Sequence, residues 1–157
     1  MGKPVKRYKS WALITLLFIL IMGAYFLFNP SYQKSLQAKY YYTMGSYQKA
    51  YVLSSEAYAI EPYNRMANSI MVQSKYALRY VNYNLEAQKY LDVISSYANQ
   101  SKITVAEQMR IKMMCDIMID KHKKMQPTIL IDKELVKQSL RYYEQFVDLH
   151  EKLIQTL

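Results

Sequence analysis

Eighteen consecutive residues without a charge, Trp11–Phe28 (WALITLLFILIMGAYFLF), constrain this chain more than any other stretch in it. At 1.5 Å per residue a helix of that length spans about 27 Å, close to the thickness of a bilayer's hydrocarbon core. The run predicts a transmembrane helix. Trp11 at one end and Tyr25 near the other stand where amphipathic rings favour the interface, Gly23 is tolerable inside a span, and Asn29-Pro30 ends the run. A cleaved signal peptide is the competing reading, since a basic start before an apolar stretch is common to both. Signal cores reach about 15 residues, and no Ala-x-Ala pattern follows this longer run, which favours a retained anchor.

The charge distribution fits the same reading. The chain has 157 residues and a net charge of +9. Four of its cations (Lys3, Lys6, Arg7, Lys9) lie in the first ten residues, against only Lys34 and Lys39 in the 20 residues after Phe28. Such asymmetry sets topology. It predicts a protein crossing the membrane once, with residues 1–10 as a cytoplasmic basic tail, residues 11–28 in the membrane and residues 31–157 as a domain on the opposite side. Charge placed this way gives no reason to expect a nucleic-acid partner.

Beyond the run, three Gly and four Pro leave few breakers, so the domain is expected to be all-α, built from long helices. Its clearest stretch is Tyr41–Asn64, YYTMGSYQKAYVLSSEAYAIEPYN, which reads as a helix closed by Gly45, a second helix from about Tyr47 to Ile60, and a stop at Pro62. Ala50, Leu53, Ala57 and Ile60 recur at helical spacing, and the small alanines permit close approach of the preceding helix. Tyr41, Gly45, Tyr47, Ala50, Ala57, Ile60 and Pro62 fall at the spacings of a tetratricopeptide repeat, which this stretch resembles. It departs from that pattern at Lys34, Gln37 and Ser54, where the family prefers Trp, Leu and an aromatic. The resemblance implies a TPR-like α-solenoid of about three hairpins: residues 31–62 as the best-formed repeat, 63–99 as a degenerate one turning at Asn82-Tyr83-Asn84, and 104–157 as a C-terminal hairpin.

In that last hairpin Thr104 and Glu107 form a capping box for a helix to about Met125, where Lys121, His122, Lys123 and Lys124 gather as a solvated C-terminal end. Pro127 breaks the chain, Ile129-Leu130-Ile131 packs or crosses, and Asp132 caps a final helix to Leu157. The final helix carries two adjacent apolar stripes: Leu135, Tyr142, Phe146, Leu149 and Leu153, then Val136, Leu140, Tyr143, Val147, Ile154 and Leu157. One neighbouring helix does not cover both. The helix either caps the array or offers Tyr142, Tyr143, Phe146, Leu149 and Leu153 as an interface.

No catalytic constellation is evident. His122 and His150 lie on different helices, no metal-ligand spacing or phosphate loop occurs, and Cys115 sits in an apolar context without a neighbouring base. The expectation is a non-enzymatic protein with no cofactor, metal or small-molecule substrate. Twelve of the 17 tyrosines lie between Tyr40 and Tyr97, and tyrosine suits interfaces. In the tetratricopeptide family ligands lie on the concave face made by the first helix of each unit. Carried onto this chain, that face holds Tyr32, Ser35, Lys39, Tyr42 and Thr43, extended by Tyr76, Arg79 and Tyr80. An anchor with such a domain resembles, in architecture, accessory scaffold proteins around bacterial flagellar motors. That resemblance implies a bacterial inner-membrane anchor with a periplasmic domain, and the expected function is a membrane-anchored adaptor that binds other proteins of an envelope complex as a structural accessory component of a flagellar motor. A component or assembly chaperone of a secretion or pilus system is the alternative.

Overall fold

The computed structural model describes residues 6–100, 103–125 and 131–156; Pro127, Ile129, Leu130 and Leu157 lie outside them. The described residues are all-α, in six helices: α1 (Lys6–Phe28), α2 (Pro30–Thr43), α3 (Tyr47–Ile60), α4 (Arg65–Ala98), α5 (Val105–Lys123) and α6 (Lys133–Thr156). The chain divides into two compact units, the first ending at Ser74 and the second beginning at Lys75, so the boundary falls inside α4.

In the first unit the chain turns where its capping residues dictate. Asn29 ends α1 and caps α2 by accepting a hydrogen bond from the Ser31 N–H at 2.9 Å, with Pro30 preorganised at the first helical position. At the far end of α2, Gly45 takes φ 74°, its N–H bonds the Tyr42 carbonyl at 3.0 Å, and the Ser46 N–H bonds the Tyr41 carbonyl at 2.9 Å. This pair is a Schellman closure, and it needs a residue that tolerates the left-handed region. α2 and α3 then pack as a hairpin, with Ala38, Ala50 and Ala57 fully buried. The first turns of α4 join them: Ile70 lies in one core cluster with Ala38 and Ala50, flanked by Tyr41, Tyr42, Leu53 and Met66.

A buried polar knot closes this unit. Asn64 caps α4 by accepting from the Ala67 N–H at 3.1 Å, while its Nδ2 donates to Ser31 Oγ at 2.9 Å and Ser35 Oγ at 3.3 Å. Ser31 in turn donates to the Ala57 carbonyl at 2.8 Å and Ser35 to the Tyr32 carbonyl at 3.0 Å. All three side chains are fully buried, so the mutual bonds offset their desolvation.

The expected turn at Asn82-Tyr83-Asn84 does not form. α4 continues through it as one helix of 34 residues, about 51 Å long, and the degenerate second hairpin is corrected to a single helix. No Gly or Pro interrupts the stretch, and Tyr83 and Asn84 are buried, so packing on that face outweighs the modest helix preference of asparagine.

In the second unit α4 supplies Tyr83, Ala87 and Ile94 to a core shared with Ile111, Cys115 and Met118 of α5 and Phe146 of α6. α5 begins with the expected capping box, Thr104 N donating to Glu107 Oε2 at 2.8 Å and Glu107 N to Thr104 Oγ1 at 3.3 Å. Asp132 Oδ1 accepts from the Glu134 N–H at 2.9 Å at the start of α6.

Among the described residues no single helix is long and apolar enough to cross a membrane. Trp11–Tyr25 and Pro30–Thr43 pass that test only together, as a pair bent by 67°. The first member is 15 residues long, about 22 Å, whereas a span takes roughly 20 residues. α1 is nevertheless uncovered: Leu13, Leu16, Leu17, Phe18, Ile19 and Leu20 are all more than half exposed, on every side of the helix.

Candidate interaction surfaces

The residues anticipated as a binding face divide between the two units and between surface and core. Lys39, Tyr42 and Thr43 of α2 line a groove of about 350 Å³, completed by Met66, Ser69, Ile70 and Gln73 of α4. Met66 and Ile70 give it apolar surface, and the other five residues bring one ammonium, three hydroxyls and an amide. Gln73 Nε2 donates to Ser69 Oγ at 2.9 Å, one turn apart on α4. Such a groove suits an extended or helical peptide with an apolar anchor and an acidic flank. Ser35 is not part of it. Its hydroxyl is fully buried in the Asn64 knot, and it holds α2 to α4 rather than facing a ligand. Tyr32 is half-buried in the first turn of α2.

In the second unit Tyr80 is only 3 % exposed and belongs to the interior, where burial raises the pKa of its hydroxyl. Arg79 stays at the surface with its guanidinium over the Tyr76 ring, 5.2 Å from the centroid. Arg79 also lines a cleft of about 350 Å³ with Asn82, Tyr83, Glu86, Lys121, Lys124 and Met125. The cleft's charges are largely matched: Lys121 Nζ lies 2.6 Å from Glu86, and Lys124 Nζ lies 2.6 Å from Asp120.

Of the two readings of the last helix, cap or interface, the packing of Tyr142, Phe146, Leu149 and Leu153 is that of a cap. Phe146 is fully buried, and Tyr142, Leu149 and Leu153 pack against the same core, so this stripe of α6 closes the second unit. The second stripe is the open one, with Leu140 and Ile154 about half exposed. Tyr143 stands between the two stripes and stacks on His122, ring centroids 4.5 Å apart, and the Tyr83 ring tilts against the same imidazole at 5.4 Å.

His122 is therefore no solvated helix-end charge. Burial beside Tyr83 and Tyr143 lowers its pKa below the ordinary imidazole value, which favours the neutral ring. The only sequence sign was its i,i+4 relation to Met118, which turns it toward the core side of α5. Its neighbour Tyr83 has its hydroxyl pKa raised, first by burial and then by Tyr143. Elsewhere His150 Nε2 lies 3.0 Å from Asp116 Oδ1, tying α6 to α5.

Cys115 is fully buried, and burial pushes its pKa up to about 11, which keeps it a neutral thiol. Among the described residues no group of three or more His, Cys, Asp or Glu side chains is placed to hold a metal ion. No family model, curated protein or solved structure matches the chain.

Proposed function

We propose that this chain is a membrane-tethered helical adaptor. α1 resides in the bilayer, and the TPR-like helical arrangement of α2, α3 and the start of α4 presents the Lys39–Tyr42–Thr43 groove to a partner protein of an envelope assembly. One observation carries the reading: α1 from Trp11 to Tyr25 is apolar and exposed on all sides, whereas the other helices bury an apolar face. A helix without a polar face needs an apolar solvent all round it, which a bilayer supplies. The uncharged run to Phe28, 18 residues and about 27 Å as a helix, falls at the short end of spanning lengths, and the basic residues before it favour a cytoplasmic N-terminus.

The test of the groove uses its exposed rim. A chain carrying Lys39→Glu and Ser69→Arg, with helical content unchanged by circular dichroism, is expected to lose the proteins that in-cell crosslinking captures on the unaltered chain. An unchanged set of crosslinked proteins overturns the groove assignment. The architectural likeness to flagellar-motor accessory scaffolds makes motility of a deletion strain the first phenotype to measure. Normal swimming would remove that machine from the proposal.

A further inference from the structure

α2 has a face that nothing in the first unit covers. Leu36, Tyr40 and Met44, one turn apart, are 54 %, 57 % and 64 % exposed. At about 100° per residue they share one side of the helix with Gln33, within about 80° of one another. The opposite side carries Ser31, Ser35, Ala38 and Tyr42, against which α3 and α4 pack. Three large apolar side chains left in water beside a full complement of packed ones need an occupant.

Two features of the α1–α2 corner indicate which way this face looks. Gln33 Nε2 donates to the Leu27 carbonyl at 2.6 Å, so the side of α2 that holds Gln33 is the side turned back toward the end of α1. The angle is braced by Asn29, whose Nδ2 donates to Tyr25 Oη at 3.2 Å in α1 and to Glu61 Oε2 at 3.1 Å beyond the end of α3. The two helix axes differ in direction by 67°. With α1 along the membrane normal, α2 runs within about 23° of the membrane plane and climbs only about 8 Å over its length of about 21 Å.

We infer that the Leu36–Tyr40–Met44 face of α2 rests in the lipid headgroup layer, so that the first unit lies on the bilayer instead of hanging from it. The inference rests on the reading of α1 as an anchor. The chemistry of the face suits that place. Tyr40 at its centre is an amphipathic ring of the kind that favours the interface, and Leu36 and Met44 flank it with exposed apolar side chains. The groove opens along the Lys39 edge, about 100° around the helix from Tyr40, and stays free for a partner.

The test uses the full chain with Cys115→Ala in phosphatidylcholine and phosphatidylglycerol vesicles. Single cysteines at Leu36, Tyr40 and Met44 carry an environment-sensitive fluorophore. Leu17→Cys reports the anchor, and Tyr63→Cys, 91 % exposed, reports water. Lipids spin-labelled near the headgroup are expected to quench the three α2 positions at least about twofold more than position 63, as for side chains sunk about 5–10 Å into the interface. Strong quenching at position 17 by deeply labelled lipids, with positions 36, 40 and 44 quenched by aqueous iodide as freely as 63, overturns this inference and leaves the anchor standing. Absence of lipid quenching at 17 overturns the anchor itself. Protection of the α2 positions from both quenchers also overturns the inference, by assigning the face to a protein.

Discussion

Replacing Asn64 tests how the first unit is held together. Its side chain caps α4 through the Ala67 N–H and donates to two buried serine hydroxyls on α2. Loss of the cap costs about 1 kcal/mol. Loss of the bond to Ser31 costs about 1 kcal/mol, and loss of the longer bond to Ser35 about half as much, because each hydroxyl keeps its own donation to a carbonyl. Asn64→Ala should therefore destabilise the unit by about 2–3 kcal/mol, which lowers a urea midpoint by about 1–2 M at slopes usual for small domains. Denaturation in detergent micelles, followed by hydrogen exchange of peptides from α2 and α3, reads the first unit separately from the second. In a Ser31→Ala, Ser35→Ala background the same replacement should cost only about 1 kcal/mol or less, since the cap alone remains to be lost. Additivity of the two changes within about 0.5 kcal/mol would refute the knot as a coupled network.

Phe146→Ala, removing a fully buried ring from the core of the second unit, should cost about 3–5 kcal/mol, measured as lost exchange protection in α5 and α6; Ile154→Ala on the open stripe should stay within about 0.5 kcal/mol. The lowered pKa of His122 means the unfolded chain binds its proton first, so this residue's contribution to stability is present above about pH 6.5 and is lost as pH falls through the lower folded pKa. His122→Gln should flatten that part of the stability–pH curve, and an unchanged curve would contradict the burial beside Tyr83 and Tyr143. Cys115, held neutral with its pKa near 11, should resist a thiol reagent in the native protein at pH 8 and react fully in denaturant.

Legibility in the sequence followed the reach of each signal. The α2–α3 hairpin was readable because Gly45, Ala50, Ala57 and Pro62 act locally, through backbone conformation and close approach. The capping box at Thr104 was readable for the same reason. The turn expected at Asn82-Tyr83-Asn84 rested on asparagine's tolerance of left-handed backbone, and burial of Tyr83 against α5 and α6 overrode it. The expected binding face was carried over from the tetratricopeptide register, which put Ser35 and Lys39 together, and only the position of Asn64, 29 residues on from Ser35, decides that Ser35 is interior. Likewise the two stripes of α6 were visible, yet which one meets the core depended on the placement of α5.

The central claim, that α1 holds the chain in a membrane, is tested most directly by alkaline carbonate extraction of membranes carrying the full chain. The chain should stay in the pellet, and a variant with Leu16→Lys, Ile19→Lys and Leu20→Lys should move to the supernatant, each lysine at the core of a span costing about 2.5–3.5 kcal/mol. Release of the unaltered chain by carbonate would contradict the account.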